Sequence, residues 1–238
     1  MKIIFLFLAL GVYTSVISQN NTTESKISNN NSLRVNLPNT LLKGSMTLEE
    51  ALSKRRSVRE YQEVPLMLKE VSQILWSAYG ITDTVKRKGV DLKTAPSAMA
   101  LYPLSIYVVV GNVSDLLSGI YCYYPKGHYL LQLKSGDYRN ELSAASNNQN
   151  MIKNASFVLV YSYDTLKLNS KFGKEAAIKL SSMDLGHSAE NVYLQATALG
   201  LGTCAIGGLK PASVSELISM PVNEKPIYIM PVGKLKDE

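Results

Sequence analysis

The chain is poor in the residues that build metal centres, disulfide frameworks and acyl-transfer triads. Its 238 residues include two cysteines, two histidines and one tryptophan. Cys122 and Cys204 are too few for a disulfide scaffold. One bridge would suit an oxidising compartment, but both lie in apolar stretches where cysteine behaves as a small buried hydrophobe. His128 and His187 have no paired carboxylates at ligand spacing, so no metal site is expected. No Ser–His–Asp spacing, phosphate-binding glycine loop or internal repeat is present. Aromatic residues are not interleaved with Lys and Arg along one stripe, which argues against a nucleic-acid partner. Beyond the first residues there is no apolar run long enough to span a bilayer, so no stable membrane insertion is expected after processing.

What is present begins with an export signal. Residues 1–18 have Lys2 as a short positive segment, an apolar run from Ile3 to Val12 and the sequence Val16-Ile17-Ser18 before a cleavage site expected at Ser18–Gln19. The absence of a nearby cysteine argues against lipid anchoring, and the absence of a twin arginine against export of a folded protein. The chain is therefore expected to be periplasmic or secreted. Residues 19–36 are rich in Asn, Ser and Thr and are expected to form a flexible polar linker. Asn20, Asn21, Asn30, Asn112 and Asn154 lie in glycosylation sequons, which matter only if the source glycosylates its exports. Residues 37–238 are one domain's length. With 25 Lys and Arg against 19 Asp and Glu the net charge is +6, and +5 without Lys2. That balance suits small anionic ligands.

The densest chemistry is Lys54-Arg55-Arg56-Ser57-Val58-Arg59. Guanidinium groups match phosphate and planar carbonyl edges bidentately, although a basic run alone is equally a solvated face. Thr47 with Glu50 three residues on forms a capping box, predicting a helix to Lys54 that delivers the arginines. Pro65 is expected to open a second helix, closed by Gly80. Residues 82–93 read as a basic loop. Residues 105–110 and 155–161 read as core strands, and residues 119–133 as a hairpin turning at Pro125-Lys126-Gly127. Residues 138–150 look helical, and residues 176–199 form the longest helical candidate. A strand-like piece over 203–209, a short helix over 211–220 and a last strand over 227–233 complete an α+β pattern.

Several separate pieces resemble the nitroreductase-like, FMN-dependent oxidoreductase family over residues 47–236. They are Arg55-Arg56-Ser57-Val58-Arg59, Pro96-Ser97-Ala98-Met99-Ala100, Asp184-Leu185-Gly186-His187-Ser188-Ala189-Glu190-Asn191, the stretch Gly200-Leu201-Gly202-Thr203-Cys204-Ala205-Ile206-Gly207-Gly208, and Pro231-Val232-Gly233-Lys234. The run Pro96 to Pro103 and the Tyr-rich hairpin look most like the azoline-oxidising branch, which forms thiazoles and oxazoles. The more familiar nitroreductase branch usually has an Asn and a Gln where this chain has Ala100 and Tyr102.

The resemblance implies a mostly antiparallel central sheet flanked by helices, an intertwined homodimer, and FMN at each subunit interface. It implies that Arg55, Arg56, Ser57 and Arg59 face the flavin. Pro96, Ser97 and Ala98 would approach from the partner subunit. Gly207 and Gly208 would offer backbone N–H groups, Asn148 would contact the ribityl chain or pyrimidine, and Lys234 or Lys236 would reach the phosphate. Met151 stands where the family often has Lys. The implied function is hydride or electron transfer, through the flavin, to or from a small organic substrate such as a quinone, a nitro compound or an azoline. The alternative is a flavin-binding or flavin-sequestering protein without substrate turnover, and a third reading is a relative that has lost the cofactor. Among the remaining residues, His187 is expected to be a packing histidine and His128 to face solvent in the hairpin turn. Cys204 is expected to be a buried hydrophobe.

Overall fold

The Thr47 capping box forms as expected: the Thr47 hydroxyl accepts from the Glu50 amide at 3.2 Å, and the Glu50 carboxylate accepts from the Thr47 amide at 3.0 Å. The structure is a computed structural model that describes residues 33–86 and 88–236. The expected signal peptide, its cleavage point and most of the expected linker lie outside the described residues.

In chain order the first elements are β1 (Arg34–Asn36), α1 (Leu48–Lys54), β2 (Tyr61–Gln62), β3 (Leu66–Met67), α2 (Leu68–Tyr79), β4 (Ile81–Asp83) and β5 (Leu92–Lys93). After a short 3-10 turn at Ala98–Ala100 come β6 (Leu104–Val110), β7 (Val113–Ser114), β8 (Gly119–Tyr124) and β9 (Tyr129–Ser135). The rest are α3 (Arg139–Ala144), α4 (Asn150–Asn154), β10 (Phe157–Asp164), α5 (Thr165–Phe172), α6 (Lys174–Ala198), β11 (Leu201–Thr203), α7 (Pro211–Ile218) and β12 (Glu224–Leu235).

The main sheet runs β1-β9-β8-β6-β10-β12-β11, with β2 added beside β12, and every pairing in it is antiparallel. Alternation along the strands divides the core in two, because successive side chains point to opposite faces. Val108, Val110, Leu159, Tyr161 and Met230 pack with Ile74 and Leu75 of α2 and Val192 of α6. On the other face Val109, Val158, Val160 and Ile229 pack with Leu142 of α3, Ile152 of α4 and Val214 of α7. β10 is buried on both faces from Phe157 to Tyr163, which is why Phe157 to Tyr161 form an unbroken apolar run.

Four sequence expectations are corrected. Residues 34–36 are not linker but an edge strand, since Val35 is half-buried and the three residues register with Leu131, Leu130 and Tyr129. Pro65 does not open a helix. Leu66 and Met67 pair in parallel with Val113 and Ser114, and α2 starts one residue later, where the Glu70 carboxylate accepts from the Met67 amide at 2.7 Å. The helix expected over 138–150 is split, because Asn147 and Asn148 adopt left-handed φ of 56° and 58° between α3 and α4. The supposed loop over 82–93 is closed at its base by β4 and β5.

Candidate functional site

α1 ends by handing the chain to Arg55, whose extended ψ of 127° turns it out of the helix. Arg56 bends back: its Nη1 donates to the carbonyls of Ser53 at 3.0 Å and Arg55 at 2.7 Å. A cation there satisfies helix-end carbonyls. Arg56 thus serves the helix terminus, while Arg55 and Arg59 extend away from it. The next residues dock onto β11. The Val58 amide donates to the Thr203 carbonyl at 2.9 Å, and Ser57 bridges Thr203 in parallel. Gly202 is required by this docking, because a Cβ there would lie 2.6 Å from Val58 Cγ1.

Tyr193 of α6 ties the pieces together. Its hydroxyl accepts from the Ala205 amide at 2.8 Å and shares a hydrogen bond with Ser57 Oγ at 3.1 Å. The Arg55 guanidinium lies 5.2 Å from the centre of its ring, within cation–π range. Among the described residues no carboxylate comes within ion-pair distance of Arg55, Arg56 or Arg59.

Arg59, Glu60, Tyr61, Asn150, Met151, Asn154 and Lys236 line an open cavity of about 410 Å³. Lys236 pairs with Glu60 at 2.9 Å, an exposed contact of little energetic weight. Beneath the cavity Cys204 is buried, with Sγ 3.0 Å from Met151 Sδ. Burial raises the Cys204 thiol pKa, against the pull of Arg59, so it stays a protonated thiol near neutrality. Tyr61 is also held in its neutral form by burial. Its hydroxyl reaches the carbonyls of Val58 at 3.0 Å and Pro231 at 3.3 Å.

Gly207 and Gly208 are exposed, and neither amide donates a hydrogen bond among the described residues. A Cβ on Gly208 would lie 3.2 Å from Asn147 Nδ2. Asn147, rather than the expected Asn148, therefore brings its side chain to the glycines. Asn148 is exposed, and its amide closes the end of α3 on the Ser143 carbonyl at 2.8 Å. Of the two lysines, Lys236 shares the cavity with Arg59. Lys234 points its Nζ toward Gly200, whose Cβ would be 3.9 Å away.

Pro96, Ser97 and Ala98 are not part of this constellation within one chain. They sit against the first half of α6, where Asp184 Oδ1 accepts from the Ala98 amide at 3.4 Å. Asp184 is 3% exposed, and its Oδ2 has no partner among the described residues. Burial raises its pKa, opposed by the adjacent Ser97 hydroxyl and Ala98 amide. Ser97 Oγ accepts from the Tyr102 amide at 2.9 Å, the Tyr102 hydroxyl from the Lys93 amide at 3.2 Å, and the Tyr102 carbonyl from Lys167 Nζ at 3.3 Å. These bonds hold Met99, Ala100 and Tyr102 at left-handed φ of 52°, 55° and 47°. The Lys93 ammonium lies 3.6 Å from the Tyr79 ring centre, and burial followed by Lys167 lowers its pKa to about 7.

The nitroreductase family profile matches residues 52–234. The chain belongs to the nitroreductase family. It is similar to a candidate nitroreductase of Methanocaldococcus jannaschii, 40% identical over 187 residues that cover 79% of this chain and 90% of that protein. An NADPH-flavin oxidoreductase of Vibrio harveyi is 29% identical over 111 residues, 44% of this chain and 46% of that one. Among solved structures, a candidate nitroreductase of Ralstonia eutropha superposes with a TM-score of 0.74 at 27% identity, over 86% of this chain and 90% of the other. The α+β nitroreductase-like fold, with its antiparallel central sheet, is thus established, and the chain is an oxidoreductase of that family.

Two tyrosines outside the expected set of site residues shape these segments. Tyr193 carries no local sequence signal, and its adjacency to Ser57 and Ala205 sets it apart. Tyr102 is built into the frame: its ring meets Tyr79 edge-on at 6.0 Å. The histidine in the hairpin turn is not solvent-facing. His128 is half-buried, with Nε2 2.7 Å from Ser72 Oγ and Nδ1 2.9 Å from the Tyr123 hydroxyl. His187 is exposed on α6.

Proposed function

We propose that the chain is an exported, FMN-dependent oxidoreductase that works as a homodimer. The observation that carries this is the meeting of Arg55, Ser57, Tyr193, Ala205 and the open Gly207–Gly208 amides at one end of α6. The donor set fits FMN, with guanidinium and ammonium groups for a phosphate dianion, a hydroxyl, and free amides with no Cβ to bar close approach. When bound, FMN supplies two-electron chemistry by accepting and releasing hydride. Arg55 would hold positive charge where the reduced ring is anionic, an interaction preorganised by α1 and by the Tyr193 ring. Arg59 and Lys236, on one cavity, suit the phosphate better than Lys234.

The dimer reading rests on geometry as well as on family membership. Asp184 beside Ala98 and Tyr193 beside Ser57 are nine residues apart on α6, about 13 Å along its axis at 1.5 Å per residue. A single copy leaves the two sets apart, and a second copy laid against α6 can supply Pro96, Ser97 and Ala98 to the arginines. Exposed Leu48 and Leu52 of α1 and Ile178 and Met183 of α6 give that contact apolar area.

The substrate is a quinone, a nitro compound or an azoline. The azoline candidate rests on the resemblance of residues 96–103 and of the Tyr-rich hairpin to the azoline-oxidising branch. Export is supported by the pattern of residues 1–18. The test is the visible spectrum of the protein from Gln19 onward after incubation with FMN and desalting. About one flavin per chain is expected. The Arg55→Ala/Arg59→Ala double variant should lose it while keeping its far-ultraviolet circular dichroism. Colourless wild-type protein would overturn the reading. Reoxidation of the reduced protein by quinones no faster than by oxygen would point instead to flavin sequestration.

A further inference from the structure

We infer that Tyr193 is a positioning residue, the clamp that sets Ser57 and the Ala205–Gly208 segment at the mutual spacing a flavin needs. The inference rests on the flavin reading above, but its geometry is independent of it. A phenol has one proton and two lone pairs. The Ala205 amide donates to one lone pair at 2.8 Å. Ser57 Oγ at 3.1 Å then either receives the phenolic proton or donates to the second lone pair. One oxygen therefore binds two segments that lie almost 150 residues apart in sequence and belong to different elements.

No other side chain makes this connection among the described residues. Ser57 and Thr203 meet through backbone, but Thr203 Oγ1 is buried without a partner and takes no part in it. From Ala205 onward the chain bonds elsewhere. The Ile206 amide donates to Ile229 at 2.9 Å and Ile229 returns the bond at 3.0 Å, while Gly207 and Gly208 donate to nothing among the described residues. The open amides thus follow directly on two fixed points, the Tyr193 hydroxyl at Ala205 and the Ile229 backbone at Ile206, and beyond them the Lys210 amide is tied to the Ala145 carbonyl at 2.8 Å. The Tyr193 ring also underlies the Arg55 guanidinium at 5.2 Å, so one side chain presets a cation, a hydroxyl and two amides. Positioning at this level governs affinity through preorganisation, since the groups need not be ordered when the ligand arrives.

The experiment is a double-mutant cycle on FMN affinity, read by quenching of flavin fluorescence. Tyr193→Phe removes the hydroxyl and keeps the ring under Arg55. It should weaken FMN binding about ten-fold, the scale of one net hydrogen bond. Ser57→Ala should weaken it similarly. The double variant should be no weaker than the poorer single variant, because both changes break one link. In parallel, hydrogen exchange of the Ala205 amide in flavin-free protein should quicken in Tyr193→Phe but not in Ser57→Ala. Unchanged affinity in Tyr193→Phe, losses that multiply in the double variant, or unchanged exchange at Ala205 would each overturn the assignment. If wild-type protein takes up no flavin, the flavin reading falls, and the exchange measurement still decides whether Tyr193 clamps the segment.

Discussion

At the scale of single residues, the half-buried imidazole of His128 shows how much one hydrogen-bond count can fix. Ser72 gives its only proton to the Pro38 carbonyl at 2.6 Å, so His128 Nε2 must be the donor to Ser72 and Nδ1 the acceptor from the Tyr123 hydroxyl. The neutral ring is fully satisfied, and burial lowers its pKa below the ordinary 6.5 despite the Pro38 carbonyl nearby. The sign follows: between the unfolded value and the lowered folded value, the unfolded chain binds the extra proton. Stability is therefore complete above about pH 6.5 and declines as pH falls through that window. Urea denaturation of wild type and His128→Gln at pH 7.5 and 5.5 should show the steeper loss in wild type. Equal slopes would remove His128 as the cause. The histidine's surroundings were not legible in sequence, because its partners come from α2 and β8 and from the segment that follows β1.

At the scale of elements, local signals were read well where local chemistry decides. The Thr47–Glu50 box, the continuous apolar run of β10, Pro211 at the first turn of α7 and the β8–β9 hairpin all form as their residues dictate. Thr47→Ala should cost about 1 kcal/mol, measured by urea denaturation. Because α1 sets where Arg55 leaves the helix, FMN affinity should fall with it; a variant of unchanged stability would mean the cap carries no weight. Leu66 and Met67 became a strand because Val113 and Ser114 were there to pair with, and helical periodicity in the sequence cannot see such a partner. α5 was missed because its signal is an Asp164 cap, whose carboxylate accepts from the Leu166 amide at 2.8 Å, in front of a short polar segment. In the site, the arginines and glycines were legible as unusual residue types. Tyr193 and Asn147 were not, since their roles exist only once distant segments touch.

At the scale of the whole molecule, the separation of the two residue sets along α6 makes a prediction that a self-sufficient subunit would not. Take one chain carrying Arg55→Ala with Arg59→Ala, and a second carrying a substituted loop, Ser97→Ala with Ala98→Pro. Each alone should fail to hold FMN. Unfolded and refolded together, they should recover flavin in about a quarter of the sites, because half of the random dimers are mixed and each mixed dimer rebuilds one site of two. No recovery would place the whole site within one chain. The Ala98 change is chosen because proline removes the amide that Asp184 accepts.

The loop at residues 96–102 carries one more consequence. Its path is drawn by Asp184, Lys93, Lys167 and the Tyr102 backbone and hydroxyl, none of which involves the side chains of Met99 or Ala100. Both of those residues hold left-handed backbone that glycine would adopt without strain, and Met99 is 59% exposed. The frame and its furnishing are thus separable. Positions 99 and 100 work like an exchangeable faceplate: what the loop shows to a neighbour can be rewritten one side chain at a time, while the scaffold behind it keeps its shape.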